Sequence, residues 1–129
     1  MFLSGIADEA GANIDTQIKA TKELGWQNIE ARMVEVTGFP KGNIHDVPEK
    51  AFDIICEKLK SAGIKINCFG SAIANWGKKI DQPFDSSLAE ARRSIPRMQK
   101  LGTRFIRVMS FATLEGENQM EEERFRRMR

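Results

Sequence analysis

The sequence predicts an α/β protein built on a parallel sheet, and three observations carry that expectation. Short apolar runs with strand character alternate with segments whose apolar residues recur at helical spacing. Each of three helical segments closes on a glycine followed directly by the next strand: Gly25 in KELGWQNIEAR, Gly63 in KSAGIKINCFG and Gly102 in QKLGTRFIRVMSF. These glycines stand 38 and 39 residues apart, the span of one βα unit, and each suits a left-handed position just past a helix. Strands alternating with helices imply right-handed crossovers and therefore parallel pairing.

Strands are expected over residues 2–7, 28–32, 65–69 and 104–109. Ile14, Ile18 and Leu24 make the inward stripe of the first helix; Phe52, Ile55 and Leu59 make that of the second, with Pro48 at its first turn. Leu88, Ala91, Ile95, Met98 and Leu101 form the third stripe, interrupted by Pro96, which should kink the helix because it lacks a backbone donor. A fourth helix is expected to begin at Asn118 as N-cap, with Glu121, Glu122 and Glu123 at the positive end of its dipole and Phe125 and Met128 as its apolar edge. The basic residues 124–129 read as a solvated face within i,i+4 reach of those glutamates. Since no C-cap signal follows, the sequence predicts a helix cut partway through.

Four βα units, the last incomplete, fit two layouts: half of a (β/α)8 barrel, or a small doubly wound flavodoxin-like sheet. A complete barrel takes about 250 residues, so the 129 present favour the second on length alone. A dinucleotide-binding sheet is disfavoured, because the first strand runs into ADEAGAN rather than a glycine-rich phosphate turn.

Composition is that of one ordinary globular domain, residues 1–129, with 41% hydrophobic and 29% charged residues. Twenty basic residues against 18 acidic give a net charge of +2, mixed along the chain, which offers no footprint for nucleic acid or an anionic membrane. The N-terminus has no basic segment ahead of its apolar run, and no window approaches the roughly 18 apolar residues of a membrane span, so a cytoplasmic protein is expected. Cys56 and Cys68 match no zinc or redox spacing and are read as reduced packing residues.

Parallel α/β folds place their sites at the carboxyl ends of the strands, and those ends are polar here. Asp8 and Glu9 follow the first strand, Glu30 and Arg32 lie on the second, Asn67 on the third, and Arg107 then Ser110 on the fourth. Charges within strands are costly unless paired. Glu30 and Arg107 therefore read either as an ion pair across neighbouring strands or, with Arg32 and Asn67, as a polar pocket. In such a pocket arginine forks bind carboxylate or phosphate while Glu or Asn binds hydroxyls. Trp76 supplies an apolar wall or anchors its loop. His45, the single histidine, reads as a lone loop residue ahead of the second helix; no catalytic triad and no metal-ligand spacing emerges, so catalytic residues stay unassigned and no metal ligand is named.

Taken in order, SGIADEAG, ATKELGWQNIEAR, LKSAGIKINCFGSAIANWG, LGTRFIRVMSF and EEERFRRMR resemble the N-terminal half of the sugar phosphate isomerase/epimerase family, the xylose isomerase-like barrels. The resemblance implies metal-assisted proton transfer on a sugar or keto sugar, with a divalent Mn, Mg, Co or Zn ion and carboxylate bases. It implies also that the principal metal ligands come from the fifth to eighth strands, so that no cofactor is expected on these residues alone. Glu9, Glu30, Arg32, Asn67, Trp76 and Arg107 would then form a substrate-side wall for a sugar or sugar phosphate. The related AP-endonuclease branch takes zinc-binding histidines from its third and fourth units, where this chain has NCFGSAIANWG and RVMSF, without histidine. An open half barrel exposes a sheet face and two edges, so a homodimer, or a non-catalytic self-associating module, is the further expectation.

Overall fold

The computed structural model describes residues 2–116 and 119–129. A short 3-10 helix, Ala7–Ala10, leads to α1 (Ile14–Glu23) and strand β1 (Asn28–Ala31). A two-residue antiparallel pair, β2 (Met33–Val34) with β3 (Gly42–Asn43), precedes α2 (Glu49–Ala62), β4 (Lys65–Gly70), α3 (Asp85–Leu101), β5 (Phe105–Arg107) and α4 (Glu121–Met128). β1, β4 and β5 form a parallel sheet in that order, and no closed barrel is present among the described residues.

The helices end in the way the glycine spacing predicts. After α1, the N–H of Trp26 donates to Thr21 O (3.0 Å) and that of Gly25 to Lys22 O (2.9 Å), with Gly25 at φ 69°. After α2, Ile64 donates to Leu59 O and Gly63 to Lys60 O; after α3, Thr103 donates to Met98 O and Gly102 to Gln99 O. Gly63 and Gly102 have φ 70° and 68°. This is one Schellman closure built three times, each placing the chain at the foot of the next strand. At the other end of α1, the Asn13 side chain accepts from Asp15 N (2.9 Å). Pro48 stands at the N-cap of α2, one place before its first turn.

The core lies on one side of the sheet. Ile29 and Ala31 of β1 and Ile66 and Phe69 of β4 pack with Ile14 of α1 and Phe52, Ile55 and Leu59 of α2, while Met98 and Leu101 bring α3 onto the same side. A smaller cluster, Ile73, Ala74, Ile80 and Phe111, fixes the long segment between β4 and α3. Between Ile29 and Glu30 the register slips: Ile29 pairs with Ile66, whereas Glu30 pairs with Cys68. Asn67 is thus the extra residue of a β-bulge, and Glu30, Cys68 and Phe105 form a row on the face opposite the core, where Phe105 is 67% exposed. Both cysteines are free; burial raises the thiol pKa of each, which suits packing residues.

Several expectations need correction. Residues 2–7 are no full strand: Glu30 N–H donates to Gly5 O (2.9 Å) and Ile6 makes one parallel bridge to Glu30, after which the chain coils into the 3-10 turn. The Trp26 ring sits 2.9 Å from where a Gly5 side chain would begin, and Phe2 and Leu3 remain exposed. The fourth strand is only three residues long because its partner β4 ends at Gly70, opposite Arg107. Leu24 is exposed at the C-cap of α1. On α3 the buried positions are Ser87 and Ser94, not Leu88 and Ile95, which are 39% and 53% exposed. Ala91, Met98 and Leu101 of the expected stripe do face the two clusters, joined by Phe84 ahead of the helix, and the small serines let the helix approach. The helix continues through Pro96 as a 17-residue element.

α4 also sits differently. Asn118 lies outside the described residues, Met120 occupies the N-cap position, and Phe125 and Met128 are exposed. Arg124, expected on a solvated face, is buried and donates to the carbonyls of Ser110, Ala112 and Gln119. A guanidinium has five donors, so it binds three carbonyls where an aliphatic residue binds none. The i,i+4 expectation survives at Glu123, which accepts from Arg126 and Arg127, bonds that hold its carboxyl at about 2. Replacing Arg124 with alanine should release α4 alone: hydrogen exchange of residues 121–128 accelerates, while the urea midpoint of the main core moves by less than about 1 kcal/mol equivalent.

Candidate functional site

The carboxyl ends of β1, β4 and β5 frame a cleft of about 650 Å³, lined by Arg32, Asn75, Trp76, Gly77, Arg107, Val108, Met109, Ser110 and Met128. A small metabolite fits such a volume. Three sequence-selected residues, Arg32, Trp76 and Arg107, line it. Two more adjoin it through their partners. Arg32 donates through Nε to Asp8 Oδ2 (3.0 Å) and through Nη2 to Glu9 Oε1 (2.9 Å), and the Asp8 bond is the main cause that raises the guanidinium's pKa. Arg107 Nε stands 3.0 Å from Glu30 Oε1, as an ion pair without hydrogen-bond alignment. Asn67 departs from the group: its Oδ1 accepts from Ser4 Oγ at 2.8 Å. Trp76 is 82% exposed at the rim.

Glu30 and Arg107 were expected to meet across neighbouring strands, yet β4 runs between theirs. Adjacent strands lie about 4.8 Å apart, so the two side chains must reach over a full strand. Gly70 makes this geometry: a Cβ there would fall 2.9 Å from Glu30 Oε1, 3.2 Å from Arg107 Nη2 and 2.8 Å from Arg32 Cβ. The Gly70 carbonyl is held by Asn43 Nδ2 (2.9 Å), and the Arg107 carbonyl by Ser71 Oγ (2.6 Å).

The cleft wall is strained. Ala74 (φ 54°) and Phe111 (φ 68°) are left-handed non-glycine residues, both buried, and Phe111 N–H donates to Ala74 O at 2.7 Å. They abut the two lining segments, 75–77 and 108–110. Such conformations cost about 1–3 kcal/mol each and gather at functional sites, where the surrounding structure imposes them. No motif in the sequence signals them, since alanine and phenylalanine carry no left-handed preference. Ser71 and Asn43 went equally unread as supports of the mouth.

A metal fits this mouth poorly. Among the described residues no group of three or more His, Cys, Asp or Glu side chains is placed to hold an ion. Its carboxylates Asp8, Glu9 and Glu30 already face guanidinium groups.

His45, read as a lone loop residue, does lie in the turn before α2, but it is buried and neither ring nitrogen has a partner among the described residues. Burial lowers its pKa from the ordinary 6.5, with Glu90 and Asp46 opposing and Arg93 and Arg97 assisting. The unfolded chain therefore takes up a proton near 6.5 while the fold resists it, so stability falls as pH drops through 6.5 and levels off below the folded pKa. Denaturation midpoints measured between about pH 7 and pH 5 should show this decline, and a His45→Gln variant should lose it.

No protein-family model matches the chain, and no curated protein matches it. Among the described residues no helix is long and apolar enough to cross a membrane.

Proposed function

We propose that these βα units are half of a (β/α)8-type barrel of the sugar phosphate isomerase/epimerase kind, and that the mouth cleft binds a sugar or sugar phosphate. The observation that carries the reading is Arg107, whose buried Nε and Nη2 make no hydrogen bond among the described residues, Nε standing 3.0 Å from Glu30 Oε1 without alignment, beside a cleft that also holds Arg32 and an exposed indole. Unmet guanidinium donors call for an oxyanion or hydroxyl oxygens, and an indole edge suits the apolar face of a sugar. The barrel layout draws support from strand order. A doubly wound sheet reverses its order and carries helices on both faces, whereas here chain order and sheet order agree and α1, α2 and α3 pack on one face.

The reading assigns these residues substrate binding and no catalytic step, since the divalent ion of such isomerases finds no donor set among them. Two free thiols suit a reducing compartment, in keeping with the cytoplasm.

Calorimetric titration with fructose 6-phosphate and with fructose is the direct test. We expect saturable binding of the phosphate ester, at least about tenfold weaker in Arg107→Lys, which retains charge but loses the fork. Absence of binding, or equal affinity in the variant, would sink the assignment. Phe105, 67% exposed beside half-buried Glu30 and Cys68 on the face opposite the core, favours a self-associating module as the second reading. In that case light scattering should give about twice 14.6 kDa on dilution, and Phe105→Glu should give a monomer.

A further inference from the structure

A second cleft, of about 390 Å³, lies on the helical side of the molecule and shares no lining residue with the mouth. It opens between the start of α2, which contributes Glu49 and Phe52, and the second half of α3, which contributes Arg93, Arg97 and Lys100; the buried His45 also lines it. Arg97 and Lys100 stand over the Phe52 ring, 4.6 and 5.6 Å from its centroid. Three cations and one carboxylate thus line the cleft around an aromatic floor, with Asp46 and Asp53 paired to two of the cations from outside the lining.

These cations have partners of their own. Arg97 donates to the carbonyls of Ile44 and Val47 and to Glu49, Arg93 pairs with Asp46 at 3.1 Å, and Lys100 pairs with Asp53. The unmet group is the histidine: 2% exposed, it leaves both ring nitrogens without a hydrogen-bond partner among the described residues. An imidazole so placed forfeits the free energy of two hydrogen bonds, unless something in the cleft supplies them. The neutral ring offers one N–H donor and one acceptor. An oxyanion answers the donor directly and is drawn by the guanidinium and ammonium groups, whose remaining N–H donors point to the same class of ligand.

We propose that this cleft is a binding site for a small molecule bearing a phosphate or carboxylate group, with His45 hydrogen-bonding the anionic oxygens and Arg93 and Lys100 supplying charge at the rim. The site is independent of the mouth and of the sugar reading. Its volume admits a compact metabolite rather than a polymer. Arg97, committed to two backbone carbonyls, positions the turn that carries His45.

Because His45 is the single histidine, its ring gives one unambiguous set of NMR signals. The test follows those signals, and the indole N–H of Trp76 as a reporter on the mouth, while inorganic phosphate or acetate is added at constant pH. The two anions distinguish phosphate from carboxylate recognition. A saturable movement of the His45 signals with either anion is expected, weakened at least about tenfold in an Arg93→Gln/Lys100→Gln double variant whose Trp76 response is unchanged. Both substituted side chains are about half exposed, 45% and 50%, so the fold should tolerate their loss. No movement with either anion, equal movement in the double variant, or equal movement with sodium chloride at matched ionic strength would overturn the proposal.

Discussion

Replacing Gly70 with alanine should disable the mouth of the sheet more completely than removing any one of its charged residues. The added methyl group would meet Arg32 Cβ at 2.8 Å, an atom too near the backbone to swing away, and would also press on the carboxylate and guanidinium that meet above it. Either β1 and β4 separate at their ends or both charged pairs reorient. Overpacking of this kind costs about 1–3 kcal/mol, and the Glu30–Arg107 contact would be lost with it. Urea denaturation should record the destabilisation, and titration with fructose 6-phosphate should record lost binding. A variant with wild-type stability and affinity would show that the arginines move aside freely, and would remove Gly70 from any account of the site.

A comparable loss is expected from Arg97→Ala, through a different cause. The side chain is 14% exposed and ties α3 to the turn ahead of α2, donating to Ile44 O at 2.9 Å and Val47 O at 2.6 Å. Without it those carbonyls lose their donors at about 1–3 kcal/mol each, and the Phe52 ring loses the cation above it. A total near 2–4 kcal/mol is expected in urea denaturation. Arg97→Lys should recover only part, because an ammonium cannot span two carbonyls and Glu49 from one planar fork. A loss below about 1 kcal/mol would mean that water replaces the guanidinium.

Features governed by local chemistry were legible in the sequence. Gly25, Gly63 and Gly102 suited the left-handed conformation because each stands just past a helix with a strand close behind it, and each adopts that conformation. The apolar run of α2 left one face to bury, and Phe52, Ile55 and Leu59 are on it. Features governed by tertiary competition were not legible. The apolar stripe expected on α3 is wider than the face that buries, and the choice of Ala91, Met98 and Leu101 over Leu88 and Ile95 is made by clusters far off in the sequence. Arg124 reads as a surface residue until three carbonyls, of Ser110, Ala112 and Gln119, converge on its guanidinium. At the mouth, Arg32 and Arg107 were identifiable as charges in strands, but the glycine that lets Glu30 reach across β4 looked like any loop glycine. Asn67 stands outside the cleft lining for a related reason: it is the extra residue of a bulge, and neither periodicity nor composition announces a bulge.

The agreement between chain order and sheet order has a consequence for how the molecule is made. Each parallel strand beds against the one synthesised just before it, so no unit waits for a distant segment to emerge before it docks. Assembly on a ribosome would then proceed as accretion from the N-terminal side, each turn after a helix aiming the next strand at an edge already in place. Among the described residues, the outer side of β5 is the edge this order of assembly leaves last.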